Sequence, residues 1–170
     1  MNDPAVQPLV EQLRFTRSEF RRALAGTPAE DAERRLEPMN AIGWIVAHMA
    51  WHEQRSWLTR MHGTTPRPDL LELAATGRPA TTPSLATMLD AWSEITAMVD
   101  PWLDGLRAAD LDGVLPGGGP RRTIGSALQR VIYHYWFHTG EILATRQVLG
   151  HRDLPEFVGS IDEQAPYRSV

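Results

Sequence analysis

Apolar residues recur at helical spacing through four long segments of this 170-residue chain, and no strong strand-type alternation competes with them. Such stripes are buried by packing helix against helix, which predicts an all-α four-helix bundle. The first segment runs from Val6 to Leu24, with Val6, Leu9, Val10, Leu13, Phe20 and Leu24 in register, and stops at Gly26 and Pro28. The second starts after Pro38 with Asn40 as its cap. It passes through Ile42, Ile45, His48, Met49, His52 and Trp57 to Met61, and ends at His62 and Gly63. The third takes Thr82 or Ser84 as its cap and Pro83 in its first turn. Leu85, Met88, Leu89, Trp92, Ile95, Val99, Trp102 and Leu106 form its stripe, which Pro101 should kink or restart. The fourth opens at Thr123 and closes at Leu149 before Gly150, with Ile124, Leu128, Val131, Tyr135, His138 and Ile142 toward the core.

The joins set the topology. A short connection makes the first two helices antiparallel. The stretch of ~20 residues from Gly63 to Thr82, rich in proline and glycine, has room for a short helix over Asp69–Ala75 and is long enough to cross the bundle. The run Pro116–Pro120 cannot be helical; it reads as a flexible connector, with a mobile flap as the alternative. The tail from His151 to Val170 reads as irregular, with Phe157 and Ile161 as docking points. Residues 1–170 are taken as a single domain.

Composition narrows the chemistry. Apolar residues make up 42% of the chain and charged residues 22%, as in soluble globular domains. A net charge of −4 gives no basic footprint for nucleic acid. No apolar run suits a membrane span or a secretory signal, so the expected location is cytoplasmic. With no cysteine, thiolate ligands and a protein-borne thiol nucleophile are both excluded. All 17 basic residues are arginine, which excludes a Schiff-base lysine.

Four of the six histidines fall in two i, i+4 pairs, His48 with His52 and His134 with His138. At that spacing two side chains share a helix face, roughly 5–6 Å apart at Cβ. Two such helices packed together bring three or four imidazoles into reach of one metal ion. Ordinary hydrogen-bonded core histidines are the competing reading. His52 lies beside the polar Glu53 and Gln54 and reads as a rim residue or neighbour of a site, with fourth ligand and proton shuttle as alternatives. The segment HEQRS begins like a zinc-protease helix but has Ser56 where the second histidine belongs. No E-x-x-H pattern of the di-iron bundles reaches either pair.

The two histidine segments resemble those of DinB-like proteins. NAIGWIVAHMAWHEQRSWL is similar to a second-helix pattern met here by His48, Met49, Ala50, Glu53 and Trp57. YHYWFHTGEILATRQVLG is similar to a fourth-helix pattern met by His134, His138, Gly140, Ile142, Arg146, Leu149 and Gly150, with Glu141 where glutamine is frequent. The resemblance implies a four-helix bundle with a long crossover between helices 2 and 3. It also implies a divalent metal, zinc or nickel, held by His48, His134 and His138. Small-molecule-thiol transferases and maleylpyruvate isomerases that use mycothiol or bacillithiol belong to this superfamily, and homodimers are common in it. A metal-dependent enzyme acting on a small molecule is thus expected, with a non-catalytic metal-binding or stress-related bundle as the alternative.

The residues around the histidines extend that expectation. Glu53, Tyr135, Glu141 and His52 are candidates to orient imidazoles or move protons; no residue is assigned as a catalytic base. Arg55, Arg60 and Arg130 are candidates for acidic groups of a substrate, or simply solvated helix faces. Trp92 and Trp102 read as core, and Trp51 and Trp136 as a pocket mouth or a dimer face.

Overall fold

A computed structural model describes residues 7–117, 119–156 and 158–167. Val6 and Phe157, placed above in the first helix and at a docking point, lie outside the described residues. The long helices are α1 (Pro8–Leu24), α3 (Ile42–Glu53), α6 (Leu85–Asp104) and α7 (Ile124–Val148). Short elements fill the joins: α2 (Ala29–Glu33), α4 (Arg60–His62), α5 (Leu70–Ala74) and α8 (Ile161–Gln164). No strand occurs among the described residues, where only an isolated bridge joins Val114 and Thr123.

Side-chain contacts give the direction of each helix. α1 and α7 run the same way, since Phe15 meets Trp136 and the Ala23 carbonyl accepts from Arg146 further along both. α3 and α6 also run together, with Gly43 beside Pro83 at one end and Trp57 against Trp102 at the other. α1 opposes α6, because Arg14 reaches Asp104 while Arg21 lies over Trp92. The order is up, down, down, up. The link from α4 to α6 therefore returns along the bundle, the crossover that the sequence allows. The first two long helices do run in opposite senses, but α1 packs chiefly on α7 and α3 chiefly on α6.

Helix ends follow their chemistry with some exceptions. The Thr123 hydroxyl accepts from the Ser126 amide at 3.2 Å and starts α7, and Gly150 lies beyond its end at φ 88°. Asn40 does not cap α3; Ala41 holds that position without a side-chain bond. Pro83 precedes α6 instead of entering its first turn, and α6 continues through Pro101 without a restart. The second segment is one helical path, but residues Gln54–Thr59 form a wider π-type turn between α3 and α4. Such insertions occur preferentially at functional sites. In that turn Gln54 is tied to the crossover in both directions, donating to the Arg67 carbonyl at 2.9 Å and accepting from its amide at 2.7 Å.

α3 is not half-exposed as an amphipathic helix would be. Every residue from Ile42 to Trp51 is buried, because α2 and α5 cover the faces left free by α6 and α7. Trp92 belongs to the core, whereas Trp102 is only half-buried against it. In the tail, Ile161 is partly exposed; the docked residue is Ala165, whose carbonyl accepts from Gln12 at 2.7 Å.

A polar network crosses the centre. Arg17 grips Glu53 with two 2.8 Å bonds, Nε to Oε1 and Nη2 to Oε2, and donates to Asp100 at 2.8 Å. Tyr135 donates to Glu53 Oε1 at 2.8 Å and accepts from Trp92 Nε1 at 2.6 Å. Glu53 and Tyr135 are both fully buried. Burial opposes the Arg17 charge, but the adjacent Glu53 more than offsets it and raises the guanidinium above its usual range. Burial, reinforced by Glu53, pushes the Tyr135 hydroxyl well above its usual range.

Removing one partner of a buried ion pair strands the other. Arg17→Met should cost about 3–5 kcal/mol in urea-induced unfolding. Gly43 marks the closest approach of two backbones: a Cβ there would sit 2.1 Å from the Pro83 carbonyl oxygen. Gly43→Ala should therefore lower stability by about 1–3 kcal/mol in the same measurement, through a forced shift of α3 against the entry to α6.

Candidate metal centre

α3 and α7 run in opposite senses at the site, so the two histidine pairs meet crosswise. The His48 and His138 rings lie 5.1 Å apart, and those of His52 and His134 lie 4.4 Å apart. His48 is 4% exposed and stacks on Trp44 with ring centroids 4.8 Å apart; His138 is 5% exposed.

The hydrogen bonds of the outer ring nitrogens fix what the inner ones can do. His48 Nδ1 donates to the Ala74 carbonyl at 2.8 Å, and His138 Nδ1 donates to Glu141 Oε2 at 2.8 Å. With the proton on Nδ1, each neutral ring presents the lone pair of Nε2. Those two lone pairs meet His134 Nε2 at 3.3 Å from His48 and 3.0 Å from His138. A single N–H on His134 cannot fully satisfy both.

Protonation does not resolve the conflict. Burial, with His138 adding to it, lowers the His48 pKa to about 4 despite the Ala74 bond. Burial together with His138, His48 and Arg130 lowers that of His134 to about 3. At neutral pH these two rings are uncharged, and the three Nε2 atoms crowd one point with at most the His134 N–H to share. A tetrahedral ion with bonds of about 2.0–2.1 Å separates its nitrogen ligands by roughly 3.3–3.4 Å, close to the spacings present. His48, His134 and His138 form a group whose potential ligand atoms all lie within 4.8 Å of one another. The donor set fits a divalent cation.

The other candidates fall into place around this group. His52 stays outside it; its Nδ1 is buried with no hydrogen-bond partner among the described residues, and burial together with His134 and His48 holds its pKa well below the usual value. Glu141 accepts from His138 Nδ1. Glu53 and Tyr135 do not: their hydrogen bonds go to each other, Arg17 and Trp92, so they position helices and leave the imidazoles to other partners. Ala74 was missed, because a backbone carbonyl leaves no side-chain signal. Arg17 was missed too, although its place between Leu13 and Phe20 on the buried stripe of α1 hinted at a paired charge. Trp51 lines a cavity at the site, whereas Trp136 packs against Phe15 of α1 and is partly buried. The glycine-rich connector is docked as well, with the Pro116 carbonyl accepting from Arg60 Nε at 3.1 Å. No helix among the described residues is long and apolar enough to cross a membrane.

Comparison with known proteins bears on the fold. The chain resembles a crystal structure titled as the conserved protein of locus from Enterococcus faecalis, with a TM-score of 0.66 and 17% identity over 86% of this chain and 98% of that one. At that identity the likeness speaks for the fold alone. No curated protein matches the chain. The family model described as the DinB superfamily matches residues 12–142, spanning α1 to α7 and all three converging histidines, and the chain belongs to that superfamily.

Proposed function

We propose that His48, His134 and His138 hold one divalent metal ion, zinc or nickel, and that the protein is an enzyme using a small-molecule thiol at that centre. The observation that carries the metal reading is the convergence of the three Nε2 atoms, two of them with their protons committed to Ala74 and Glu141. Such an ion supplies a Lewis acid that keeps a co-substrate thiol ionised near neutral pH. The chain has no cysteine, so the thiol comes with the co-substrate, as mycothiol or bacillithiol would supply it. Transfer of that thiol to an electrophile, or thiol-assisted isomerisation, is the favoured reaction class.

The residues divide the labour. The Ala74 carbonyl and Glu141 hold two imidazoles in the required tautomer. Trp44 and the surrounding core exclude water from one side of His48. His52 stands beside His134 as a neutral neighbour of the site.

Metal analysis of tag-free protein should return one equivalent per chain, and His134→Ala should abolish uptake while circular dichroism stays helical. Substoichiometric metal that reconstitution fails to raise would sink the proposal. Removing an outer partner should do less: Glu141→Ala is expected to weaken metal affinity about 10–100-fold, read by chelator competition. Metal binding without turnover of mycothiol or bacillithiol plus an electrophile would leave a non-catalytic metal-binding bundle.

A further inference from the structure

Next to the histidines lies a cavity of about 290 Å³ whose charge is one-sided. Arg55, Arg60, Arg122 and Arg130 line it together with His52 and His134, and no carboxylate does among the described residues. Six of the arginines outside the cavity, Arg14, Arg17, Arg22, Arg35, Arg67 and Arg78, each form a salt bridge. None of the four cavity arginines does so among the described residues.

The cluster is also held in place without being neutralised. Arg60 gives its Nε to the Pro116 carbonyl, while its Nη2 is buried with no hydrogen-bond partner among the described residues. The Arg55 guanidinium lies 5.2 Å over the Trp51 ring. Partial burial, together with Arg130, Arg60 and Arg55, lowers the proton affinity of Arg122. Like charges assembled in a recess cost free energy that a bound anion returns. The guanidinium fork matches carboxylate and phosphate oxygens two at a time.

We infer that this cavity is an oxyanion subsite of the histidine centre, and that the small molecule it accepts carries at least two negative charges, as a dicarboxylate or a phosphate monoester does. Its size lies near the lower end for small-molecule sites, which suits a compact metabolite and not a polymer. His134 borders the cavity and belongs to the converging histidines, so an anion seated on the arginines lies beside the proposed metal. That placement rests on the metal reading; the anion site itself does not.

Calorimetric titration of zinc-loaded and metal-free protein, at fixed ionic strength, tests the inference with succinate, phenyl phosphate and acetate. Succinate or phenyl phosphate should bind at one site about tenfold or more tighter than acetate, and the preferred one identifies dicarboxylate or phosphate chemistry. Arg130→Ala, at an exposed position, should weaken that binding about tenfold with melting temperature and metal content unchanged. Arg122→Gln repeats the readout from the segment before α7. Arg34→Ala, which removes the same charge outside the cavity, should change nothing. No preference over acetate, or unaltered affinity in both cavity variants, overturns the inference. Arginine-dependent binding by a protein that takes up no metal would refute the metal reading and leave the anion subsite standing. Metal uptake without anion preference would do the reverse.

Discussion

The Arg17–Glu53 ion pair joins all four long helices at one level of the bundle. Arg17 comes from α1 and Glu53 from the end of α3; Asp100 of α6 and Tyr135 of α7 complete the group. A buried pair of this kind adds little net stability over an apolar replacement, but an incomplete one is strongly penalised. It therefore selects one alignment of the helices and disfavours slipped ones. Glu53 follows His52 in sequence, and Tyr135 follows His134. Fixing Glu53 against Tyr135 thus fixes the histidine pairs against each other, and the imidazoles meet because the ion pair does.

Around that register the site divides into two halves of different character. His48, His138 and the Trp44 ring form a buried wall. His134 and His52 face the cavity of arginines that form no salt bridge among the described residues. Lone pairs that attract a cation and guanidinium groups that attract an anion thus lie on either side of His134. A molecule with an electron-rich reacting atom and a remote anionic group matches both halves at once.

Much of this was legible in the sequence because it depends on periodicity. The apolar stripes of α1, α6 and α7, the stop at Gly63 and the cap at Thr123 follow from local chemistry that tertiary contacts do not override. The paired histidines were legible for the same reason, since i, i+4 spacing places them on one face whatever the helix packs against. What escaped depended on contacts distant in sequence. α3 carries no clear polar face, and only the docking of α2 and α5 explains its burial. The π turn at Gln54–Thr59 has no propensity signature, and it coincides with Gln54 reaching across to Arg67. Glu53 and Glu141 looked alike as carboxylates near histidines; their roles diverged because Arg17, far away in the chain, claimed the first.

The two imidazoles whose outer nitrogens are engaged differ in what holds them. The acceptor for His48 belongs to the main chain at Ala74, so no side-chain replacement there deletes it; only a change in the path of the crossover can. The acceptor for His138 is the Glu141 carboxylate, which a single codon change can turn into an amide or remove. Electron donation to the proposed ion would therefore be fixed on one side and open to drift on the other. Divergence in the reactivity of such a centre has an easy route through position 141 and almost none through position 74.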